Sequence, residues 1–348
     1  MILVTGGTGF LGSTLIKQLI DEGKAVLATK RPSSIIPDSL RGSSLVEWVD
    51  TDITNYFLLA DLFPRVKEVY HCAAMVSYQP TDASLMHKVN IEGTQHIVNL
   101  CIEHDIRLVH VSSIAALGRN KLGLPVSETD KWEYDRGISQ YSLSKYKSEL
   151  EVWRGINEGL NAVIVNPSLI MGLGSYQKGS GAIFEVIRKG ISIYPPGSVG
   201  IVDVEDVARV MILLMGREDI VGERFILNSE NISHQDLMQR IARLLGKKEP
   251  TIAANRIMLS WAWRLAKFAS LFTGKKPAMT RETMRAAQAK LAYSNKKITD
   301  VLGYRFLPVD ETLEKIANTY YSNETSFFDS NSVAAIESNG SHQKKQQY

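Results

Sequence analysis

The feature that most constrains this chain is the run Thr5-Gly6-Gly7-Thr8-Gly9-Phe10-Leu11-Gly12, because of what lies on either side of it. Ile2–Thr5 before it reads as a strand. Gly12–Glu22 after it reads as a helix, with Leu15, Ile16, Leu19 and Ile20 on one face. Glycines between a strand and a helix let the backbone close on a pyrophosphate that side chains would keep away. The helix start adds unpaired N–H groups and the positive end of its dipole. Two registers fit: Gly7, Gly9 and Gly12 spell GxGxxG, while Gly6, Gly9 and Gly12 spell GxxGxxG after a threonine. Motifs farther along favour the second. Thr5, Gly6, Gly9, Phe10, Leu11 and Gly12 are therefore candidate dinucleotide-binding residues, and an ordinary glycine-rich turn is the alternative.

The rest of the first half repeats the strand–helix alternation. Strands are predicted at Ala25–Thr29, Leu45–Val49, Glu68–Cys72, Leu108–Val111 and Ala162–Val165, and helices at Tyr56–Phe63, Glu92–Glu103 and Tyr141–Glu158. This order implies an α/β fold: a doubly wound parallel sheet with helices on both faces. After Pro167 the pattern loosens. Residues 172–200 hold seven glycines and two prolines and read as a mobile loop. Helices at Val207–Met215, His234–Leu245 and Arg256–Phe272 and a strand at Arg224–Leu227 follow. The expected division is a nucleotide-binding domain at 1–168, completed by parts of 199–230, a smaller and mostly helical substrate region at 169–324, and a disordered tail at 325–348 rich in Ser, Asn, Gln and Lys.

A site for NAD places an Asp or Glu about 20 residues past the glycine loop, on the ribose hydroxyls. Here the second strand ends Thr29-Lys30-Arg31, with no acid and two cations. An acid would repel a 2′-phosphate and an arginine fork would grip one, so NADP(H) is the preferred cofactor, with NAD(H) as the alternative. Asp52-Ile53 follows the third strand. There a carboxylate could meet an adenine amino group while the isoleucine packs on the ring, or Asp52 could cap the next helix.

Tyr141-Ser142-Leu143-Ser144-Lys145 places a phenol and an ammonium one turn apart on one helix face. A phenol near its ordinary pKa of about 10 is a poor acid–base at neutral pH. A neighbouring ammonium favours the phenolate, and the tyrosine can then exchange a proton with a substrate oxygen while hydride moves on carbon. Upstream, Val109-His110-Val111-Ser112-Ser113 ends a strand at the sheet edge where ligands bind, and a serine there can hold the substrate oxygen.

With these motifs in this order, the chain resembles the extended short-chain dehydrogenase/reductases, the NAD-dependent epimerase/dehydratase family, from residue 1 to about 320. Further landmarks are HCAA at 71–74, VNIEGT at 89–94, VSSIAALG at 111–118, NPS at 166–168, DVEDVA at 203–208 and LGYRF at 302–306. The pattern is most similar to dihydroflavonol-reductase-like and 3β-hydroxysteroid-dehydrogenase-like members. The resemblance implies Ser113, Tyr141 and Lys145 as the catalytic triad, with Ser113 chosen over Ser112 by its distance from Gly118. It also implies that Ala73, Ala74 and Asn166-Pro167-Ser168 lie against the nicotinamide side, that Arg31 selects NADP, and that the protein is a homodimer built through a helix bundle. IAALG after Ser113 departs from the ATVYG of sugar-nucleotide epimerases. Hydride transfer between NADP(H) and a carbonyl or secondary alcohol is therefore the expected reaction. A nucleotide-sugar epimerase or dehydratase that recycles its cofactor in place, and a non-catalytic dinucleotide sensor, are the alternatives.

Composition bounds the partners. The net charge of +3 over 348 residues gives no signature for nucleic acid, although residues 231–320 carry 16 Lys and Arg against seven Asp and Glu. Cys72 and Cys101 read as buried thiols, and the seven histidines show no metal-ligand spacing, so no metal is expected. No apolar stretch is long enough for a membrane span and no leader pattern is visible, which favours the cytoplasm. A small-molecule substrate with an apolar or aromatic body is expected to meet the segments holding Met75, Val76 and Tyr78, Trp132 and Tyr134, and Tyr176, Tyr194 and Pro195. In the helix at 256–272, Trp261, Leu265, Phe268 and Phe272 share a face. That face is expected to cap the substrate region, with peripheral contact to a membrane, aided by Lys275 and Lys276, as the alternative.

Overall fold

A computed structural model describes residues 1–135, 137–174, 181–273 and 280–320. The tail expected to be disordered, Tyr176, Lys275 and Lys276 lie outside the described residues.

The first half forms β1 (Ile2–Thr5), α1 (Phe10–Asp21), β2 (Val26–Lys30), β3 (Val46–Asp50), α2 (Tyr56–Ala60), β4 (Glu68–His71), α3 (Ala83–His87), α4 (Gly93–Glu103), β5 (Arg107–Val111), α5 (Gln140–Asn157) and β6 (Ala162–Pro167). The second half begins with β7 (Leu169–Met171), α6 (Ala182–Arg188), β8 (Ile193–Tyr194), β9 (Ser198–Asp203), α7 (Val204–Met215) and β10 (Glu223–Leu227). β11 (Glu230–Ser233), α8 (His234–Leu244), β12 (Ile252–Ala253), α9 (Arg256–Thr273), α10 (Arg281–Ala286), α11 (Lys296–Leu302) and a last helix, α12 (309–320), complete it.

Seven strands pair in parallel in the order β10-β6-β5-β4-β1-β2-β3. Both faces are covered, which is why β5 and β6 read as nearly unbroken apolar runs. On one face α1 and α7 bury Leu15, Ile16, Leu19, Val207 and Met211. On the other, Ile97, Val98 and Cys101 of α4 and Val152 of α5 enclose a second core. The chain reverses its winding between β1 and β4, so the crevice at their carboxyl ends is the place where a doubly wound sheet takes a ligand. A third core, including Phe184, Leu237, Ile241, Leu313 and Ile316, holds α6, α8 and α12 together as the smaller C-terminal region.

Several expectations are corrected. The helix predicted to reach Phe63 ends at Ala60, and Pro64 sits in a separate 3₁₀ turn at Phe63–Arg65. The helix expected from Glu92 is preceded by α3 and by a π-helical turn at Lys88–Glu92, which join it without a break. Residues 172–200 are not simply loop: they contain α6, β8 and the start of β9. Finally, the apolar face of α9 expected to cap the substrate region is exposed at its described side chains, and the side chain of Phe272 lies outside the described residues. Ile257, Trp261, Leu265 and Phe268 are 69%, 61%, 61% and 60% exposed, and it is Leu259, on the opposite side, that is buried. No described helix is long and apolar enough to cross a membrane.

Candidate active site

The glycine loop links β1 to α1 at the reversal point. Gly6 takes φ +68°, and a Cβ there would stand 2.8 Å from the Ala73 Cα, at the end of β4. A Cβ on Gly12 would overlap the Gly6 carbonyl oxygen. Gly7 faces inward, against Ile16, Ala28 and Trp48. The close approaches thus fall on Gly6 and Gly12, in the second of the two registers. α5, α7, α8 and α10 all begin under a side-chain cap, from Ser139, Asp203, Ser233 and Thr280. α1 begins at Gly9, which supplies none. The amides of Phe10, Leu11 and Gly12 precede the first intrahelical acceptor, and an anion suits them. The Phe10 ring lies under Gly172 and Gly174, where the chain leaves β7.

At the end of β2 the two cations differ. Lys30 is the register partner of Asp50 on β3, and its ammonium is ion-paired with that carboxylate. Arg31 is exposed and its guanidinium meets no acceptor among the described residues. Asp52 is folded into a local turn, its Oδ1 accepting from the Thr54 N–H and hydroxyl at 2.9 Å each. The cap of α2 is Asn55, not Asp52. Ile53 is buried against Gly93 in the core beneath.

β5 and α5 bring the remaining candidates together. The Ser113 hydroxyl lies beside the Tyr141 phenol, close enough to act on its acidity, and accepts the Ala115 N–H at 3.1 Å. One helical turn on, the buried Lys145 ammonium donates to the Val111 carbonyl at 2.8 Å. Burial pushes the Tyr141 phenol up, with the neighbouring Ser113 hydroxyl acting the other way. Burial also pushes the Lys145 ammonium down to about 8, opposed by Glu149 and Cys72. Both cysteines are free; Cys101 is buried, and burial raises the partly exposed Cys72 to about 12, so it stays a thiol. Ser112 points elsewhere, donating to Glu149 Oε2 at 2.6 Å.

Glu149 is one turn beyond Lys145 and was not singled out in the sequence. It is buried and receives four donors: Ser112, Asn166 Nδ2 at 2.8 Å, Trp153 Nε1 at 3.2 Å and Arg224 Nη1 at 2.9 Å. It thereby fastens α5 to β5, β6 and β10. Asn166 also donates to the Ser113 carbonyl at 3.0 Å, while its Oδ1 and the Ser168 hydroxyl are buried without a partner among the described residues. Pro167 is buried at the end of β6, and Ala74 is exposed past β4.

A second missed residue is Asn90, in the π-turn before α4. Its side chain accepts from the Met75 N–H at 2.7 Å and donates to the Met75 carbonyl at 2.9 Å and to Ser144 at 3.0 Å. It sets the course of the segment leaving β4. Deeper, the Ala73 N–H donates to Thr5 Oγ1 at 3.2 Å, and Thr5, His71 and Thr94 continue the chain at 2.7 and 3.1 Å. Burial holds His71 down to about 3 and keeps His110 neutral beside it.

On the substrate side, the Tyr78 ring meets the Tyr141 ring edge-on, with centroids 5.7 Å apart. Tyr293 and Glu282, which sequence reasoning missed, are the other groups whose charge Tyr78 feels. Glu282 lies near the backbone N–H of Gln140 at the start of α5, which draws its carboxyl pKa down against the rise from burial, and its Oε2 is buried without a partner among the described residues. Nothing in the local pattern of 280–293 marks them; they arrive through the C-terminal region's packing. The structure does not bring Trp132 and Tyr134 to Tyr141. Trp132 stacks on Tyr146 at 4.0 Å, on another part of α5, and Tyr134 is exposed. Tyr194 and Pro195 line a separate cavity with Ser233, Gln235 and Lys290. Val76 is exposed. Among the described residues no cluster of His, Cys, Asp and Glu could hold a metal ion.

A parallel doubly wound sheet, an uncapped helix start at its reversal point and a serine beside a tyrosine with a lysine one turn on define the class of nicotinamide-dinucleotide-dependent proteins. The model of the NAD dependent epimerase/dehydratase family matches residues 2–227. The chain belongs to that family, among the extended short-chain dehydrogenase/reductases, and is an enzyme of the oxidoreductase type. It is 28% identical over 328 residues to a putative dihydroflavonol 4-reductase of Synechocystis sp., covering 91% of this chain and 93% of the relative. It is 30% identical over 254 residues to sterol demethylase protein B of Methylococcus capsulatus, covering 72% and 76%. The crystal structure of gox2253 superposes with a TM-score of 0.78 at 29% identity, over 93% of this chain and 98% of that one.

Proposed function

We propose that this enzyme catalyses reversible hydride transfer between NADP(H) and a carbonyl or secondary-alcohol substrate, with Ser113, Tyr141 and Lys145 as its catalytic triad. The placement of Ser113 beside the Tyr141 phenol, with Lys145 one turn away on the same helix and anchored to the Val111 carbonyl, carries this reading. The nicotinamide dinucleotide supplies or accepts the hydride. Thr5, Gly6, Gly9, Phe10, Leu11 and Gly12 would hold its pyrophosphate, Lys30, Arg31, Asp52 and Ile53 its adenosine end, and Ala73, Ala74, Asn166, Pro167 and Ser168 its nicotinamide end. Tyr141 and Lys145 would also meet the nicotinamide ribose.

In the reducing direction Ser113 and Tyr141 hold the carbonyl oxygen. Burial keeps the Tyr141 phenol protonated, ready to donate as that oxygen gains charge. The phenolate left behind is stabilised by the Lys145 ammonium, which the Val111 carbonyl fixes in place. Alcohol oxidation runs the same steps backwards. Tyr78 against Tyr141, with Tyr293 near enough to act on Tyr78, suits a substrate with an apolar or aromatic body. The same reading makes the protein a cytoplasmic homodimer.

A panel of carbonyl compounds with NADPH absorbance as readout tests the reaction. Tyr141→Phe should fold and bind cofactor normally yet lose roughly 10²–10⁴-fold in turnover. Near-full turnover in that variant would make Tyr141 structural. The family's name favours a second reading, an epimerase or dehydratase acting on a nucleotide-sugar with the cofactor recycled in place. Product formation without net NADPH consumption would decide for it.

A further inference from the structure

We propose that α9 docks this enzyme on an anionic membrane surface, lying in the plane of the interface. Ile257, Trp261 and Leu265 recur every fourth residue, so they form one row along the helix, and Phe268 continues it. Each is at least 60% exposed. The helix is held to the body from its other side, through the buried Leu259 and through α10.

Charge identifies the occupant. α9 contains Arg256, Arg264 and Lys267 and no acidic residue, and the nearest acids in the chain are Glu249 and Glu282. Arg264 borders the row, three residues past Trp261, and its guanidinium lies 5.0 Å from the Trp263 ring. A second copy meeting this face through its own α9 would set cations against cations. A surface of anionic headgroups over acyl chains satisfies both components: aliphatic side chains and the indole enter the boundary, and the cations stay among the phosphates. Because no described helix is long and apolar enough to cross, the contact is peripheral. This inference stands apart from the chemistry at Tyr141, and its test reads binding alone.

The test is co-sedimentation of the full chain with sucrose-loaded vesicles of phosphatidylcholine, with and without phosphatidylglycerol. The protein should pellet with the anionic vesicles and be released by high salt. An Ile257→Ser/Trp261→Ser/Leu265→Ser variant should bind them on the order of tenfold more weakly, with its melting temperature and NADPH binding unchanged. Arg264→Glu, which keeps the apolar row, should also bind more weakly. The proposal is overturned if the wild-type chain stays in the supernatant, or if the triple variant pellets equally well. It is equally overturned if light scattering shows that the triple substitution abolishes self-association, since the face would then join two copies of the chain.

Discussion

At the scale of single residues, the end of β2 shows how a neighbour changes the meaning of a charge. Lys30 and Arg31 read as two cations awaiting a phosphate, yet Lys30 is paired with Asp50 across the sheet. That leaves Arg31 as the group able to grip a 2′-phosphate. Arg31→Ala should therefore weaken NADPH binding by about 1.5–3 kcal/mol, the worth of a charge-assisted contact, and NADH binding far less. Titration of both cofactors by fluorescence measures the difference. Equal weakening would remove the 2′-phosphate assignment. The pair illustrates what a sequence withholds: Lys30 and Asp50 are register partners only once β2 and β3 are aligned in parallel. By contrast, Gly6, Gly12, Tyr141 and Lys145 owe their placement to spacings of a turn or two, and spacing is what a sequence displays. Glu149 was within reach, since it continues the stripe of Tyr141 and Lys145 by one more turn. Asn90, Tyr293 and Glu282 were not, because their partners are brought in by tertiary packing.

At the scale of elements, Arg107 at the start of β5 joins the sheet to α7. Its buried guanidinium donates to the carbonyls of Leu214, Met215, Arg217 and Ile220 at 2.8–3.2 Å and is bonded to the Asn161 side chain. Those carbonyls belong to the last turn of α7 and the segment after it; Leu214 and Arg217 also accept the backbone N–H of Arg217 and Ile220 at 3.2 and 3.0 Å, while Arg107 is the donor recorded for Met215 and Ile220 among the described residues. Burial pulls the guanidinium below its ordinary range, and the cost of burying it is offset by these acceptors. Arg107→Met keeps much of the stem but takes the guanidinium donor from the Met215 and Ile220 carbonyls and from the Asn161 side chain. It should cost about 2–4 kcal/mol in a urea melt, by the penalty for unsatisfied buried groups. A loss below about 0.5 kcal/mol would show that water replaces the guanidinium. α9 is the element on which periodicity misled. It correctly marked an apolar face, but not whether that face turns inward, and the buried contact fell on Leu259 instead.

Across the whole molecule, two buried imidazoles, His71 and His110, lie 5.3 Å apart beneath the site. Both stay neutral in the folded chain, His71 down to about 3, while an unfolded histidine takes up a proton near 6.5. As pH falls below that value, the unfolded state binds protons that the folded state refuses, so stability drops. Each histidine contributes about 1.4 kcal/mol per pH unit. Urea midpoints should therefore fall steeply as the pH is lowered from neutrality, and His71→Gln should lessen that slope while lowering stability at neutral pH. An unchanged slope would assign the acid sensitivity to other groups.

The last strand of the large sheet, β10, comes after the whole of β7, α6, β8, β9 and α7, so the sheet is closed by residues near 227 rather than near 168. On a ribosome, the nucleotide-binding half emerges first but cannot seal its β6 edge until some sixty more residues have followed. During that interval the nascent chain presents an apolar parallel edge, the kind of surface that chaperones shield.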